Sequence, residues 1–206
     1  MKTSLDLPPP PTGDDTSYDV PAGEAGDFGV GDFFIEMDVR GRGGDAFEPD
    51  RSYGTLFTRS PNPQFPYEGP SAFVFENGNV MYRIHGDEPY IYENALPDLA
   101  ASTVTRHLKF SRRGDKLLAE IDGKKYENTT TKEIGTAVAE QLKTVPLRFR
   151  GNHQDKSLQS LYVDMKNITF GVYQEGPAEG VSSVSTRETG TMSLTQSVAP
   201  RLFWTG

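Results

Sequence analysis

The stretch His107–Glu127, HLKFSRRGDKLLAEIDGKKYE, constrains the fold of this chain more tightly than any other. Two strand-like runs, His107–Ser111 and Lys116–Ile121, flank a tight Arg113-Gly114-Asp115 turn. Asp122-Gly123 then reverses the chain into a polar third run. Asp-Gly favours a two-residue type I′ hairpin, because both central residues must take positive φ and glycine does so without steric cost. Three runs joined by two tight turns spell an antiparallel meander.

The same period of two recurs along the chain. Phe33, Ile35, Met37 and Val39 alternate with Phe34, Glu36, Asp38 and Arg40, the pattern of a half-buried strand. Short strands are predicted at Thr55–Thr58 and Leu147–Arg150, and a second hairpin at Ala72–Phe75 and Val80–Ile84 around Asn77-Gly78. The last strand falls within Leu158–Tyr173. Its apolar positions change phase from Leu161, Val163 and Met165 to Ile168, Phe170 and Val172, which predicts a β-bulge at Lys166-Asn167. Asp87–Ala101 shows no period and reads as irregular. The spacing of Ile134, Val138 and Leu142 predicts one helix over Lys132–Lys143, capped by Thr131 and stopped by Pro146.

Both ends differ from this core. Residues 1–30, with Pro8, Pro9, Pro10 and Pro11, read as an extended arm with a polyproline II segment. Residues 174–206 read as a second arm, rich in Ser and Thr, that ends in Leu202-Phe203-Trp204. The β-sandwich is therefore expected over 31–173.

Composition removes several function classes. A net charge of -8 argues against nucleic acid, which requires a basic face to displace counterions, and gives no purchase on an anionic membrane. The absence of cysteine excludes disulfides, thiolate metal sites and cysteine nucleophiles. No stretch reads as a secretory signal or a membrane span, so the expected location is the cytoplasm at synthesis or a virion. The 21 Gly and 15 Pro suit a protein with many turns.

The strand order, on Asp32–Arg40, Gly54–Phe57, Gly78–Ile84, His107–Phe110 with Arg112-Arg113-Gly114-Asp115, Ile121-Asp122-Gly123, Pro146–Phe149 and Leu161–Gly171, resembles the concanavalin A-like and laminin G-like jelly-roll superfamily. The resemblance implies an all-β fold: two antiparallel sheets packed face to face, with one short helix and extended arms. The superfamily hosts lectins, glycan hydrolases, lyases, adhesion modules and virion components, so function must be argued from a site.

Several residue groups are candidates. Glu36 and Asp38 stand at alternate positions, as do the carboxylates of the superfamily's retaining glucanases, but the second glutamate of that pattern is missing, and a solvent-facing role is expected. Arg113-Gly114-Asp115 spells an adhesion tripeptide and is expected to act only as a turn. His85, His107 and His153 are not at metal spacing. No catalytic or cofactor motif is present. Calcium is the one ion that the loops could hold, through oxygens of Asp87, Asn152 and Asp155, with Asp45, Asp50 and Asp98 as further loop acids. Phe65, Tyr67, Tyr90 and Tyr92, with Asn62, Gln64, Asp87 and Glu88, form a candidate glycan surface, rings for a sugar face and polar groups for its hydroxyls.

The two arms make the leading expectation a non-catalytic structural or interaction protein of a larger assembly, a virion or phage particle. In it Pro8–Pro11 and Leu202-Phe203-Trp204 would contact protein neighbours in a homo- or hetero-oligomer. The alternative is a carbohydrate-binding, lectin-like module, and the third reading a polysaccharide hydrolase or lyase.

Overall fold

The computed structural model describes residues 2–5, 7, 17–41, 53–61, 68–75, 77–85, 90–97, 103–130, 134–149 and 163–173. Met1–Gln174 forms one compact unit and Glu175–Gly206 a second, whose residues lie outside the described set.

Among the described residues, twelve strands build two antiparallel six-stranded sheets. The first sheet orders β1 (Lys2–Leu5), β12 (Val163–Val172), β3 (Phe33–Gly41), β8 (Thr105–Arg113), β9 (Lys116–Ile121) and β10 (Lys124–Thr129). The second orders β2 (Tyr18–Val20), β11 (Leu147–Phe149), β4 (Tyr53–Thr58), β5 (Ser71–Phe75), β6 (Asn79–Arg83) and β7 (Ile91–Asn94). Each sheet turns an apolar face inward, and the two faces leave water together.

The predicted face of β3 is the buried one: Phe33, Ile35, Met37 and Val39 are all fully buried. Across the interior, Phe57 and Tyr82 of the second sheet meet Phe110 of the first, at ring-centroid distances of 5.6 and 5.2 Å. Burying each such ring stabilises the fold by about 1.5–3 kcal/mol.

The turn chemistry behaves as expected. Asp122 and Gly123 take φ of 50° and 82°, and the flanking Ile121 and Lys124 pair, as a type I′ turn requires. The β-bulge in β12 is where the phase change predicts it. Pairing with β3 slips between Lys166 and Thr169, and Asn167 sits at φ 51°.

Three local expectations are corrected. Residues 1–30 are not a free arm. They give β1 to the edge of one sheet and β2 to the edge of the other, and they carry helix α1 (Ala22–Ala25). Phe28, which follows α1, fills the core against Phe33, Phe57 and Phe170 at 4.6, 6.1 and 5.8 Å. The reason is tertiary: short edge strands with few apolar residues show no period. Within Asp87–Ala101, Ile91–Asn94 forms strand β7, and only Ile91 of its four residues is buried. The helix is shorter than predicted: α2 spans Thr136–Leu142, and Gly135, in extended conformation, stands at its N-cap without a side-chain bond. Glycine is a poor helix residue, and Ile134 packs instead against the core. Strand β12 begins at Val163; the predicted positions 158–162 lie outside the described residues.

Candidate functional site

The outward faces of the sheets differ in character. On the first sheet, charges alternate across strands and neutralise one another. Glu36 lies 3.9 Å from Lys2 and 3.7 Å from Lys109. His107 Nδ1 donates to Asp38 Oδ1 at 2.8 Å, and Asn167 Nδ2, presented by the bulge, donates to Asp38 Oδ2 at 2.6 Å. Burial works to raise the Asp38 pKa, but the bonds from Asn167 and His107 and the charge of His107 outweigh it. The carboxyl is thereby held below the usual carboxylate range, the opposite of what a general acid needs. Glu36 and Asp38 are a paired surface, as expected.

The adhesion tripeptide is tied into its turn. Arg113 lies over the Tyr173 ring at 3.8 Å, the Gly114 amide donates to Asp32 Oδ1 at 2.7 Å, and the Asp115 carbonyl accepts from the Thr130 amide at 2.7 Å. Gly114 has φ 57°, the reason that glycine stands there.

The outward face of the second sheet is different. Ala72, Val74, Val80 and Tyr82 point into the core, so the residues that alternate with them face out. The register then places Asp19, Arg148, Thr58, Ser71 and Arg83 in one row across five strands. A second row holds Thr55, Phe73, Met81 and Tyr92. Asp19 and Arg148 form a bidentate pair with bonds of 2.7 and 2.8 Å. The bond that Arg148 donates to Asp19 raises the Arg148 pKa above its ordinary value and outweighs burial, which works to lower it. Thr55, Thr58, Ser71, Phe73 and Arg83 are all buried although they face away from the core. Among these, Ser71 Oγ has no hydrogen-bond partner. The connections beside this face are joined where His85 Nδ1 meets the Glu68 carbonyl at 3.0 Å.

At the β7 end of this face stand two large rings, Tyr90 at 41% and Tyr92 at 42% exposure. Their planes are nearly perpendicular with centroids 6.2 Å apart. Phe75 packs edge-on against Tyr92 at 5.4 Å, and the Arg83 guanidinium carbon lies 5.4 Å over Tyr90. Asn128 Nδ2, from β10, donates to the Tyr90 carbonyl at 3.0 Å and fixes that backbone. The site is thus a buried polar row with two half-exposed aromatic rings, Tyr90 and Tyr92, at the β7 end of the same face. Rings of this kind present apolar faces to a sugar, and hydroxyl and guanidinium groups bond its polar edge.

Of the expected glycan-contact residues, the structure brings Tyr90 and Tyr92 together. Phe65, Tyr67, Asn62, Gln64, Asp87 and Glu88 lie outside the described residues. So do Asp45, Asp50, Asp98, Asn152 and Asp155, proposed for calcium, and among the described residues no group of three or more His, Cys, Asp or Glu could hold a metal ion. The same holds for Pro8–Pro11, for Leu202-Phe203-Trp204 and for His153. The sequence reading missed Ser71, Arg83, Thr58 and Arg148. Their signal was alternation in β5 and β6, where Ser71 and Arg83 occupy outward positions; their meeting is a matter of register.

No protein-family model matches the chain, and a comparison with curated proteins finds no match. Among solved structures, it is similar to the Ruminococcus gnavus IT-sialidase CBM40 bound to alpha2,6 sialyllactose. The TM-score is 0.56 at 8% identity, covering 85% of this chain and 94% of that one. For the same module bound to alpha2,3 sialyllactose the values are 0.53, 9%, 84% and 91%. The K499G mutant of NanB sialidase from Streptococcus pneumoniae gives 0.53 at 13% identity, over 87% of this chain but only 27% of that protein. With this likeness, two antiparallel sheets packed face to face and the strand order above, the chain has the concanavalin A-like jelly-roll fold.

Proposed function

We propose that this chain is a non-catalytic carbohydrate-binding module, whose ligand rests on Tyr90 and Tyr92 and extends over the outward face of the second sheet. The observation that carries the reading is the pair of rings itself: both are partly exposed, set at right angles and held in place by Phe75, Arg83 and Asn128. Exposed rings fixed by their neighbours lose little entropy when a sugar stacks on them. The likeness to a carbohydrate-binding module of the same fold supports it.

The assembly reading has less support. Its N-terminal motive is gone, because β1 and β2 pair within their own sandwich, and the comparisons do not point to a particle. The hydrolase reading needs two carboxylates facing one cleft, and the described pair, Glu36 and Asp38, is bound to Lys2, Lys109, His107 and Asn167.

The test is a glycan array probed with the full chain, with and without calcium, followed by titration of any hit against Tyr90→Ala and Tyr92→Ala. Loss of one stacked ring should weaken binding about tenfold, on the order of 1–1.5 kcal/mol. An array without a single hit would sink the reading.

A further inference from the structure

Strand β10, Lys124–Thr129, ends the order of the first sheet, and among the described residues no strand lies beyond it. It is the longest of the described sheet edges, six residues against four in β1 and β7 and three in β2. An unpaired edge is a template for another strand. Which of its backbone groups are free follows from the turn. Residues that flank a two-residue hairpin loop exchange both backbone bonds, so Lys124 bonds to Ile121 and every second residue after it bonds to β9. The Thr130 amide, which donates to the Asp115 carbonyl at 2.7 Å, keeps the same phase. The N–H and C=O groups of Lys125, Glu127 and Thr129 therefore point away from the sheet. The Thr129 amide is taken up locally, since it donates to Asn128 Oδ1 at 2.7 Å. The open stretch is thus Lys125 to Glu127. Both of these side chains are exposed, and among the described residues neither is held in an ion pair.

Two copies of this edge can pair antiparallel only where outward-pointing backbone groups meet, which restricts the register. Centring the pair on Lys125 sets two lysines opposite each other, and centring it on Glu127 sets two glutamates. Like charges directly opposite destabilise a ladder. Centring it on Tyr126 sets Lys125 of each copy opposite Glu127 of the other. In that register every free backbone group of Lys125 and Glu127 finds a partner. Tyr126 packs against the core, so Lys125 and Glu127 stand on the outward face, where their charges can meet.

We propose that β10 is a self-association edge, pairing antiparallel with β10 of a second copy about a two-fold axis at Tyr126. The contact is isologous, so it closes at the dimer and continues the first sheet of one copy into that of the other. The two cross-pairs of Lys125 with Glu127 select this register over its neighbours. The inference is independent of the glycan-binding reading, because it uses the other sheet.

The experiment is sedimentation velocity of the full chain over a range from roughly micromolar to several hundred micromolar, since a short ladder associates weakly. A reversible monomer–dimer equilibrium is expected. Lys125→Glu alone and Glu127→Lys alone each set like charges opposite, and each should weaken dimerisation at least about tenfold. Both positions are exposed, so the melting temperature should hold. An equimolar mixture of the two variants should dimerise again, because the acidic edge of one faces the basic edge of the other. A chain that stays monomeric throughout the range overturns the inference. A dimer that ignores both charge reversals overturns the assignment to β10, and a mixture that stays monomeric overturns the register.

Discussion

At the scale of residues, three positions show how local chemistry and tertiary contact divide the work. Gly78 sits at φ 79°, and a Cβ there would strike the Leu96 carbonyl. The Asn-Gly turn was legible in the sequence, but the close approach of Leu96 was not, because it depends on the connection that follows β7. Gly78→Ala is expected to destabilise by about 1–3 kcal/mol, measured by urea unfolding. Asp38 gives a pH prediction. Its pKa is lowered in the folded state from an ordinary 3.8, so it contributes stability above that value which is lost as pH falls through the lower folded value. Asp38→Asn should therefore flatten the acid limb of the melting-temperature profile, and an unchanged limb would contradict the paired role of Asp38. Arg59 is fully buried, and burial lowers its pKa to about 10. Its guanidinium donates to the carbonyls of Val145, Gly26 and Phe28 at 3.2, 2.8 and 2.6 Å. Arg59→Met should cost roughly 3 kcal/mol by leaving those carbonyls without donors. Nothing in the Thr58-Arg59-Ser60 sequence announces this role, since the partners come from two distant connections.

At the scale of elements, long strands with a regular period were readable and short edge strands were not. Strand β3 and the β8–β9–β10 meander carry their own alternation and turns, and even the bulge in β12 is written as a phase change. Strands β1, β2 and β7 have at most one or two inward residues each, too few to make a period. They exist because a neighbouring strand offers unpaired backbone groups. Strand β1 pairs with β12 from Lys2↔Gly171 to Leu5↔Ile168, and Leu7 beyond it is buried in the core. Deleting residues 1–7 is thus expected to cost about 3 kcal/mol through lost ladder bonds and lost burial of Leu7. A truncated chain as stable as the full one in thermal unfolding would show that the N-terminal stretch is dispensable. Helix α2 shows the converse error: apolar spacing ran through Gly135, whose poor helix propensity ends the element there.

At the scale of the whole molecule, the described strands and core residues all lie within the unit Met1–Gln174. A chain ending at Gln174 is accordingly expected to keep the melting temperature of the full protein within about 2 °C; a larger fall would show that residues 175–206 stabilise the sandwich. By itself the sequence determined the antiparallel all-β class, the tight turns and the inward face of each long strand, because alternation and turn chemistry act over a few residues. It also named Tyr90 and Tyr92. Only the tertiary structure decided what stands beside them. Ser71, Arg83, Thr58 and Arg148 lie between positions 58 and 148 of the chain, and they share a row because strand register, set by packing of the opposite face, aligns them. The meander that most constrains the fold lies in the other sheet. The fold was local information, whereas the candidate site is a product of pairing between distant strands.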